Sequence, residues 1–394
     1  MNFVSLFCGC GGFDLGFIQA GYDCYSAFDI DPYAVETHSN NLNGIAKKCD
    51  LAIETPPLHL LRKADVLLAG PPCQGFSTAG KRDLQDPRNS LLVRAGEIAV
   101  QAKPKVIIIE NVLGVTVGPH KKYWDSLTYI LRSGGYQTAE VVCNANEMGL
   151  GQIRRRKVLI AWNTKRHIQI AFDNKPYQSL RDVISGMDTT YNHDPIHISK
   201  GSEIDIIASR IKPGHKLCNV RGGPRSVHTW DIPEVYGRTN KTERQILELL
   251  ASLRRRHRER SFGDADPISA QCLARSAGHP VKSTLIELIK KGYVRNINGR
   301  YDLTHTFNGK FRRLDWNLPS HTVDTRFGDP RYFLHPDKNR GFTVREAARI
   351  QGFPDDFVFW GPDKAQYVLV GNAVPPPISM QLAEFVRTAL LNKA

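Results

Sequence analysis

The sequence predicts an α/β protein built on a doubly wound parallel sheet, with a separate domain inserted before the last elements. Three observations carry this. Short apolar runs alternate with amphipathic segments through residues 1–165. A glycine-rich turn follows the first apolar run directly, at Gly9, Gly11 and Gly12. A polar, irregular middle then intervenes, and the first pattern returns only in residues 312–394.

In chain order, Val4–Phe7 is a strand, followed by the glycine turn and a helix through Ala20. Cys24–Asp29 is the second strand and Asp31–Asn40 a helix. Val66–Ala69 is a short buried strand that runs into Gly70-Pro71-Pro72. Ser90–Gln101 has the spacing of an amphipathic helix, and Val106–Ile109 and Lys157–Trp162 are continuous apolar strands. Sheets of this class bind ligands beyond the carboxyl ends of their strands, where the strand order reverses. Residues 166–311 form the expected inserted domain. Ile246, Leu249, Leu250 and Leu253 share one helical face and precede the basic run Arg254–Arg260. Ser269–Ser276 is a second helix, and Val281, Leu285, Leu288 and Ile289 mark a third. Tyr293–Ile297 and Arg300–Thr304 flank Asn298-Gly299, a two-residue hairpin signal. Three helices followed by a hairpin give residues 240–305 a winged-helix look, which places the third helix in a DNA major groove. The same pattern also describes a helical insert that packs on the enzyme or on another subunit. Phe342–Gln351 and the segment after Gly371-Asn372 through Leu391 are the closing helices.

Hydrophobic residues are 41% of the chain and charged residues 23%, which excludes a disordered polymer. No apolar run approaches the roughly 18 residues of a membrane span, and the amino terminus lacks a secretory pattern. The formal charge of +14 favours polyanionic partners, nucleic acid first. The eight cysteines are scattered, with no paired CxxC units, so no metal site is expected and a reducing compartment fits.

Five segments carry chemistry. Phe7-Cys8-Gly9-Cys10-Gly11-Gly12 lets the backbone approach a ligand closely, or serves as a tight turn alone. Asp29-Ile30-Asp31 ends the second strand, where a carboxylate accepts from ribose hydroxyls or caps a helix; Cys49-Asp50-Leu51 is placed for similar work at an adenine ring. Gly70-Pro71-Pro72-Cys73-Gln74-Gly75-Phe76-Ser77 holds a cysteine on a rigid turn at the sheet's carboxyl edge, and the polar stretch Ser77 to Asn89 has the character of a closing lid. Glu110-Asn111-Val112 brings a carboxyl group to the same edge. Gln152-Ile153-Arg154-Arg155-Arg156 leads into a strand on which Arg154 and Arg156 share a face, suiting an anion or a carbonyl oxygen.

Together these segments resemble the DNA cytosine-5 methyltransferase family, whose FxGxGG, PPCQGFS, ENV, QxRxR and GNAVPP (Gly371–Pro376) motifs occur here in order. The Arg313–Val323 segment is similar to the family's penultimate motif. The resemblance covers residues 1–165 and 310–394 and implies a Rossmann-like S-adenosylmethionine-dependent methyltransferase fold with an inserted target-recognition domain. It assigns Cys73 as the nucleophile toward carbon 6 of cytosine, Glu110 to the ring's N3 edge, Arg156 to O2, Arg154 to support of the closed loop, and Gln152 to shaping it. It places Phe7, Gly9, Gly11 and Gly12 under the methionine part of S-adenosylmethionine, Asp29 on the ribose, and Ile30 on the adenine. Asp50 and Leu51 then read the adenine edge, and Pro71, Leu91, Asn372 and Ala373 complete the pocket. The target base must leave the duplex stack. Departures are mild: Asp29 stands where the family often has Glu, Ile30 where a larger side chain is common, and Gly151 where Pro is common.

The expected partner is double-stranded DNA, with base contacts around His279–Thr284 and Arg221–Arg225. The expected setting is a monomeric cytoplasmic enzyme, associated with the nucleoid of a prokaryote, that serves a restriction-modification or anti-phage defence system or works alone. The short amino terminus suggests a prokaryotic or phage source. Two other readings compete. A transfer-RNA methyltransferase of the same fold would carry a CFT-type motif, which is absent. A silent DNA-binding protein would be expected to lose one of Cys73, Glu110, Arg154 and Arg156, and all four are present.

Overall fold

The computed structural model describes residues 1–73, 75–76, 83–164, 168–187, 191–220, 223–259 and 265–391. Gln74, the Ser77–Arg82 part of the expected lid, and Arg221 and Gly222 lie outside the described residues.

The first strands are β1 (Asn2–Leu6), β2 (Asp23–Asp29), β3 (Ala46–Lys48), β4 (Val66–Ala69), β5 (Val106–Asn111), β6 (Gln137–Asn144) and β7 (Arg155–Trp162). They form one seven-stranded sheet in the order β3-β2-β1-β4-β5-β7-β6. The strand order reverses between β1 and β4, which pair in parallel with Leu6 beside Ala69. The all-parallel expectation is corrected at one strand: β7 runs antiparallel to both β5 and β6. An apolar run has no direction, so its pattern cannot distinguish the two senses. The reversal has a consequence for the site. It brings the amino end of β7, with Arg155 and Arg156, to the edge where the other strands end.

Both faces of the sheet are covered, as the unbroken apolar strands require. In β5, Ile107 and Ile109 enter one core, with Leu92, Ile98, Trp124 and Leu127 from α3 (Leu91–Ala102) and α4 (Lys121–Ser133). Val106 and Ile108 enter the other, with Phe13 and Phe17 from α1 (Gly12–Gln19) and Ile378, Leu382 and Val386 from the last long helix. On the outer flank, α2 (Pro32–Asn41) is N-capped by Asp31, whose side chain accepts from Tyr33 and Ala34. Gly16 lets α1 close on the last long helix, because a Cβ there would lie 2.3 Å from the Pro376 carbonyl oxygen. Beneath the glycine turn, buried Asp14 accepts from Ser5 at 2.7 Å and meets His38 Nε2 at 2.8 Å.

The chain divides into two compact units. The first is Met1–Asp194 with Asn317–Arg326 and Thr343–Ala394; the second is Pro195–Trp316 with Phe327–Phe342. The expected boundaries at 165 and 312 therefore shift. Residues 180–194 stay with the first unit because Leu180 and Ile184 are buried there and the Asn192 side chain donates to the Phe359 carbonyl. Residues 327–342 join the second because the buried Arg313 guanidinium donates to the carbonyls of Ala208, Ile211, His335 and Lys338.

Within the second unit, α5 (Lys241–Arg256) opens on a reciprocal cap between Asn240 and Glu243. It is followed by β8 (Ile268–Ser269), α6 (Ala270–Ala277), α7 (Lys282–Lys290), β9 (Val294–Ile297) and β10 (Arg300–Leu303), the three strands ordered β8-β10-β9. Ile246, Leu250, Leu273, Leu285, Leu288 and Leu303 fill its core. Asn298 and Gly299 both take positive φ, 52° and 80°, as a two-residue turn between right-twisted strands demands. Arg254, the first residue of the basic run, is buried and pairs with Asp302. In the first unit, α8 (Val344–Gln351), α9 (Asp363–Asn372) and α10 (Pro376–Val386) complete the chain, with Arg387–Leu391 as a wider final turn.

Candidate active site

The carboxyl ends of β1, β2 and β4 and the amino end of β7 open onto one cavity of about 880 Å³ in the first unit. After β1 the chain turns left-handed at Phe7 (φ 54°) and again at Gly9 (φ 55°). Asp29, at the end of β2, holds this turn: its Oδ2 accepts from Gly9 N at 2.8 Å and its Oδ1 from Asp31 N at 2.9 Å. Burial raises the Asp29 carboxyl above its ordinary value, and those two backbone donors oppose the rise.

At the end of β4, the chain passes through Gly70-Pro71-Pro72 to Cys73, which lines the cavity. Asn111 fixes this turn from the neighbouring strand, donating from Nδ2 to the Pro71 carbonyl at 3.2 Å. Glu110, next to it on β5, is buried and forms an ion pair with Arg156, Oε1 to Nε 2.7 Å. Burial pushes Glu110 up, while Arg156 and then Arg154 pull it down. Burial likewise raises the Cys73 thiol; the Arg156 charge lowers it, Glu110 raises it, and Arg154 lowers it again. Burial thus favours the neutral thiol, while the two guanidinium charges favour the thiolate.

Of the expected catalytic residues, Cys73, Glu110 and Arg156 meet at this cavity, and Arg154 and Gln152 do not line it. Arg154 is fully buried and donates to the carbonyls of Val323 (2.8 Å), Gly371 (3.2 Å) and Ala373 (2.8 Å). It ties the amino end of β7 to the wall formed by Gly371–Ala373. Gln152 is also buried: it donates to Gln351 Oε1 at 2.9 Å and accepts from Val323 N at 2.9 Å. Arg154 thus holds backbone of the cavity wall at Gly371 and Ala373, whereas the partners of Gln152 do not line the cavity.

Of the expected cofactor residues, Phe7, Gly9, Gly12, Asp29, Ile30, Asp50, Leu51, Pro71, Leu91, Asn372 and Ala373 all line the cavity. Gly11 does not. It faces inward, where a Cβ would lie 2.6 Å from Leu42 Cδ1 and 2.9 Å from His38 Cδ2. Sequence reasoning passed over Arg88 and Tyr123, which also line the cavity. Arg88 pairs with Asp86 at 2.6 Å and holds that carboxyl down at about 2. Tyr123 packs on Phe76, ring centres 5.8 Å apart. Neither stands in a motif, and only the folded chain brings them to Cys73.

A half-buried thiol beside an ion pair of a buried carboxyl and a guanidinium, at the switch point of a doubly wound sheet, is an arrangement suited to covalent attack on a bound ligand. The chain belongs to the C-5 cytosine-specific DNA methylase family, whose model matches residues 1–387, and it is a DNA cytosine-5 methyltransferase. It is 29% identical to the Type II methyltransferase M.DdeI of Desulfomicrobium norvegicum over 98% of this chain and 88% of that one. It is also 29% identical to the Type II methyltransferase M.AgeI of Thalassovita gelatinovora, over 99% of this chain and 100% of the relative. Among solved structures, its fold is similar to that of a protein described as a DNA modification methyltransferase encoded within an E. coli prophage. That match has a TM-score of 0.61 and 22% identity and covers both chains fully. The S. pombe Dnmt2 methyltransferase is similar at a TM-score of 0.52 and 16% identity, covering 98% of each chain.

Proposed function

We propose that the enzyme methylates carbon 5 of a cytosine within a specific duplex DNA sequence, using S-adenosylmethionine, as the modification partner of a restriction or other anti-phage system. The observation that carries this is the meeting of Cys73 with the Glu110–Arg156 pair at one end of a cavity whose other walls are the glycine turn, Asp29 and Asn372. The names of the Type II relatives support the restriction-modification setting. The second unit, with its three helices and hairpin, is the reader of the target sequence. The enzyme works as a monomer in a prokaryotic cytoplasm; among the described residues no helix is long and apolar enough to cross a membrane.

The cavity fits the cofactor. A Cβ built on Gly9 meets no atom within 4 Å beyond its chain neighbours, so the backbone there is open to the cavity. Gly12, by contrast, sits so close to Val374 that a Cβ would lie 2.4 Å from its carbonyl oxygen, which fixes the floor. Phe7, Gly9 and Gly12 would hold the amino-acid part, Asp29 the ribose hydroxyls, and exposed Ile30 the adenine face. Asp50 and Leu51 would meet the adenine edge, and Pro71, Leu91, Asn372 and Ala373 would close the sides. Bound S-adenosylmethionine supplies an electrophilic methyl group.

The chain's own residues make carbon 5 able to accept it. The Cys73 thiolate adds to carbon 6, and the electron pair of the 5,6 double bond moves into the ring, leaving carbon 5 enamine-like. Glu110 holds the N3 edge, and Arg156 faces O2, where charge collects during addition. After carbon 5 is methylated its proton departs to a base, the double bond re-forms, and Cys73 leaves as the thiolate. Arg154 positions the Gly371–Ala373 wall. The target base must swing out of the duplex to reach Cys73.

The test is genome-wide bisulfite sequencing of a methylation-free bacterial host expressing the protein, beside Cys73→Ser. Protection of cytosines in one sequence context, only with the intact protein, is the expected result. Absence of protection by a soluble protein that binds S-adenosylmethionine would overturn the reading.

A further inference from the structure

The second unit contains a cleft of about 730 Å³ that no part of the catalytic account uses. One wall is the polar face of α5. Glu248, Ser252, Arg255 and Arg256 line the cleft, and 248, 252 and 255 recur at helical spacing opposite the buried stripe Ile246, Leu250 and Leu253. The other wall is His228, whose ring stacks on buried Trp230 with centroids 4.6 Å apart and planes 7° from parallel. His228 is held further by Asp231, which meets its Nδ1 at 3.1 Å. Asn219 secures the floor, donating to Thr229 Oγ1 and accepting from Thr229 N, both at 3.0 Å. This wall is therefore fixed before any ligand arrives.

The charge distribution says what the cleft takes. Arg255 and Arg256 are exposed, and their side chains have no hydrogen bond or ion pair among the described residues. They outnumber Glu248, the cleft's carboxylate. Elsewhere in the same helix-and-hairpin module several cations are already paired. Lys290 pairs with Glu287, Lys291 with Glu243, and Arg295 with Asp302. On the third helix and the hairpin, where sequence reasoning looked for DNA contact, Lys290, Lys291 and Arg295 are thus engaged, while the last turn of α5 offers two adjacent guanidinium groups.

We propose that this cleft binds the sugar–phosphate backbone of the DNA substrate, with Arg255 and Arg256 on phosphate oxygens and the His228–Trp230 stack as the wall against which the strand lies. The proposal rests on the reading of the enzyme as one that acts on duplex DNA. Guanidinium forks match phosphate geometry, and phosphate contacts set register without reading sequence. The cleft is thus an anchor that fixes where the module lies on the duplex.

The test is duplex-DNA binding by fluorescence anisotropy across a salt series, on the full-length protein. Three forms are compared: wild type, R255Q/R256Q, and a charge-matched control, K241Q/R275Q. Tritiated S-adenosylmethionine binding is measured on each to report folding. The expected result is that R255Q/R256Q binds DNA about tenfold more weakly and that the slope of log affinity against log salt falls by about 2, as for two lost phosphate contacts. The control keeps the wild-type slope, and cofactor binding is unchanged in all three. R255Q/R256Q matching wild type, or both double variants losing equally, would overturn the cleft. Wild type that binds cofactor but no duplex DNA would overturn the DNA reading itself, and the cleft with it.

Discussion

Arg156 Nε lies 2.7 Å from Glu110 Oε1, across the boundary between a parallel strand and the antiparallel strand beside it. Glu110 points outward at the carboxyl end of β5, and Arg156 reaches the same edge only because β7 enters the sheet there. Removing Arg156 leaves a buried carboxyl without its partner. Arg156→Ala is expected to lower folding stability by about 3 kcal/mol, measured by urea denaturation, and to reduce methyl transfer beyond what that loss explains. Unchanged stability would mean that the pair contributes nothing to the fold.

Glu110→Gln tests the other partner. The amide retains the shape and can still hydrogen-bond the cytosine edge, but it can neither give up a proton to N3 nor carry a charge. Methyl transfer is expected to fall by about 10²-fold or more, while S-adenosylmethionine affinity stays within about twofold. Single-turnover kinetics and equilibrium dialysis separate the two effects.

The Cys73 thiol is raised by burial, so the thiolate fraction at neutral pH is small. The single-turnover rate is then expected to rise by up to about tenfold per pH unit from pH 7 until the thiol titrates. Arg156→Gln removes a charge that lowers this thiol and should move the profile to higher pH. For folding the sign is opposite. A raised thiol favours the folded state fully below the unfolded value near 9, and that contribution is lost as pH climbs through the folded value. A flat rate profile between pH 7 and 8 would contradict the assignment of Cys73 as the attacking group.

Arg154 ties the amino end of β7 to the Gly371–Ala373 wall of the cavity. Arg154→Met would strand the carbonyls of Val323, Gly371 and Ala373 in the interior. It is expected to cost about 3 kcal/mol or more of stability and to weaken S-adenosylmethionine binding through the Gly371–Ala373 wall. Arg154→Lys should rescue little, since one ammonium cannot serve three acceptors in the same fixed plane. Denaturation curves and cofactor titration of both variants measure this.

How much of this was legible in the sequence follows from the chemistry of each position. Glu110 and Asp29 were legible because each lies at the end of an apolar strand, and Cys73 because it sits on the rigid turn that follows one; strand ends in such a sheet converge. Arg154 and Gln152 could be named but not placed. Their partners lie near residues 323, 350 and 371–373, and a motif does not show which arginine turns inward. Gly11 was assigned to the ligand with its neighbours, yet it serves the packing of Leu42 and His38. The antiparallel sense of β7 left no mark, since an apolar run reads alike in both directions. Arg88 stands in an irregular segment and Tyr123 on the helix α4, neither within a motif, and both reach the cavity only through tertiary packing.

The most direct test of the central claim, that Cys73 attacks carbon 6, uses duplex DNA in which every cytosine of one strand is replaced by 5-fluorocytosine. Fluorine at carbon 5 cannot depart as a proton does, so elimination of the cysteine is blocked after methylation. The expected result is a denaturation-resistant protein–DNA adduct that forms only with S-adenosylmethionine, maps by mass spectrometry to the Cys73 peptide, and is absent in Cys73→Ser. An active enzyme that yields no adduct, or an adduct that persists in Cys73→Ser, would contradict it.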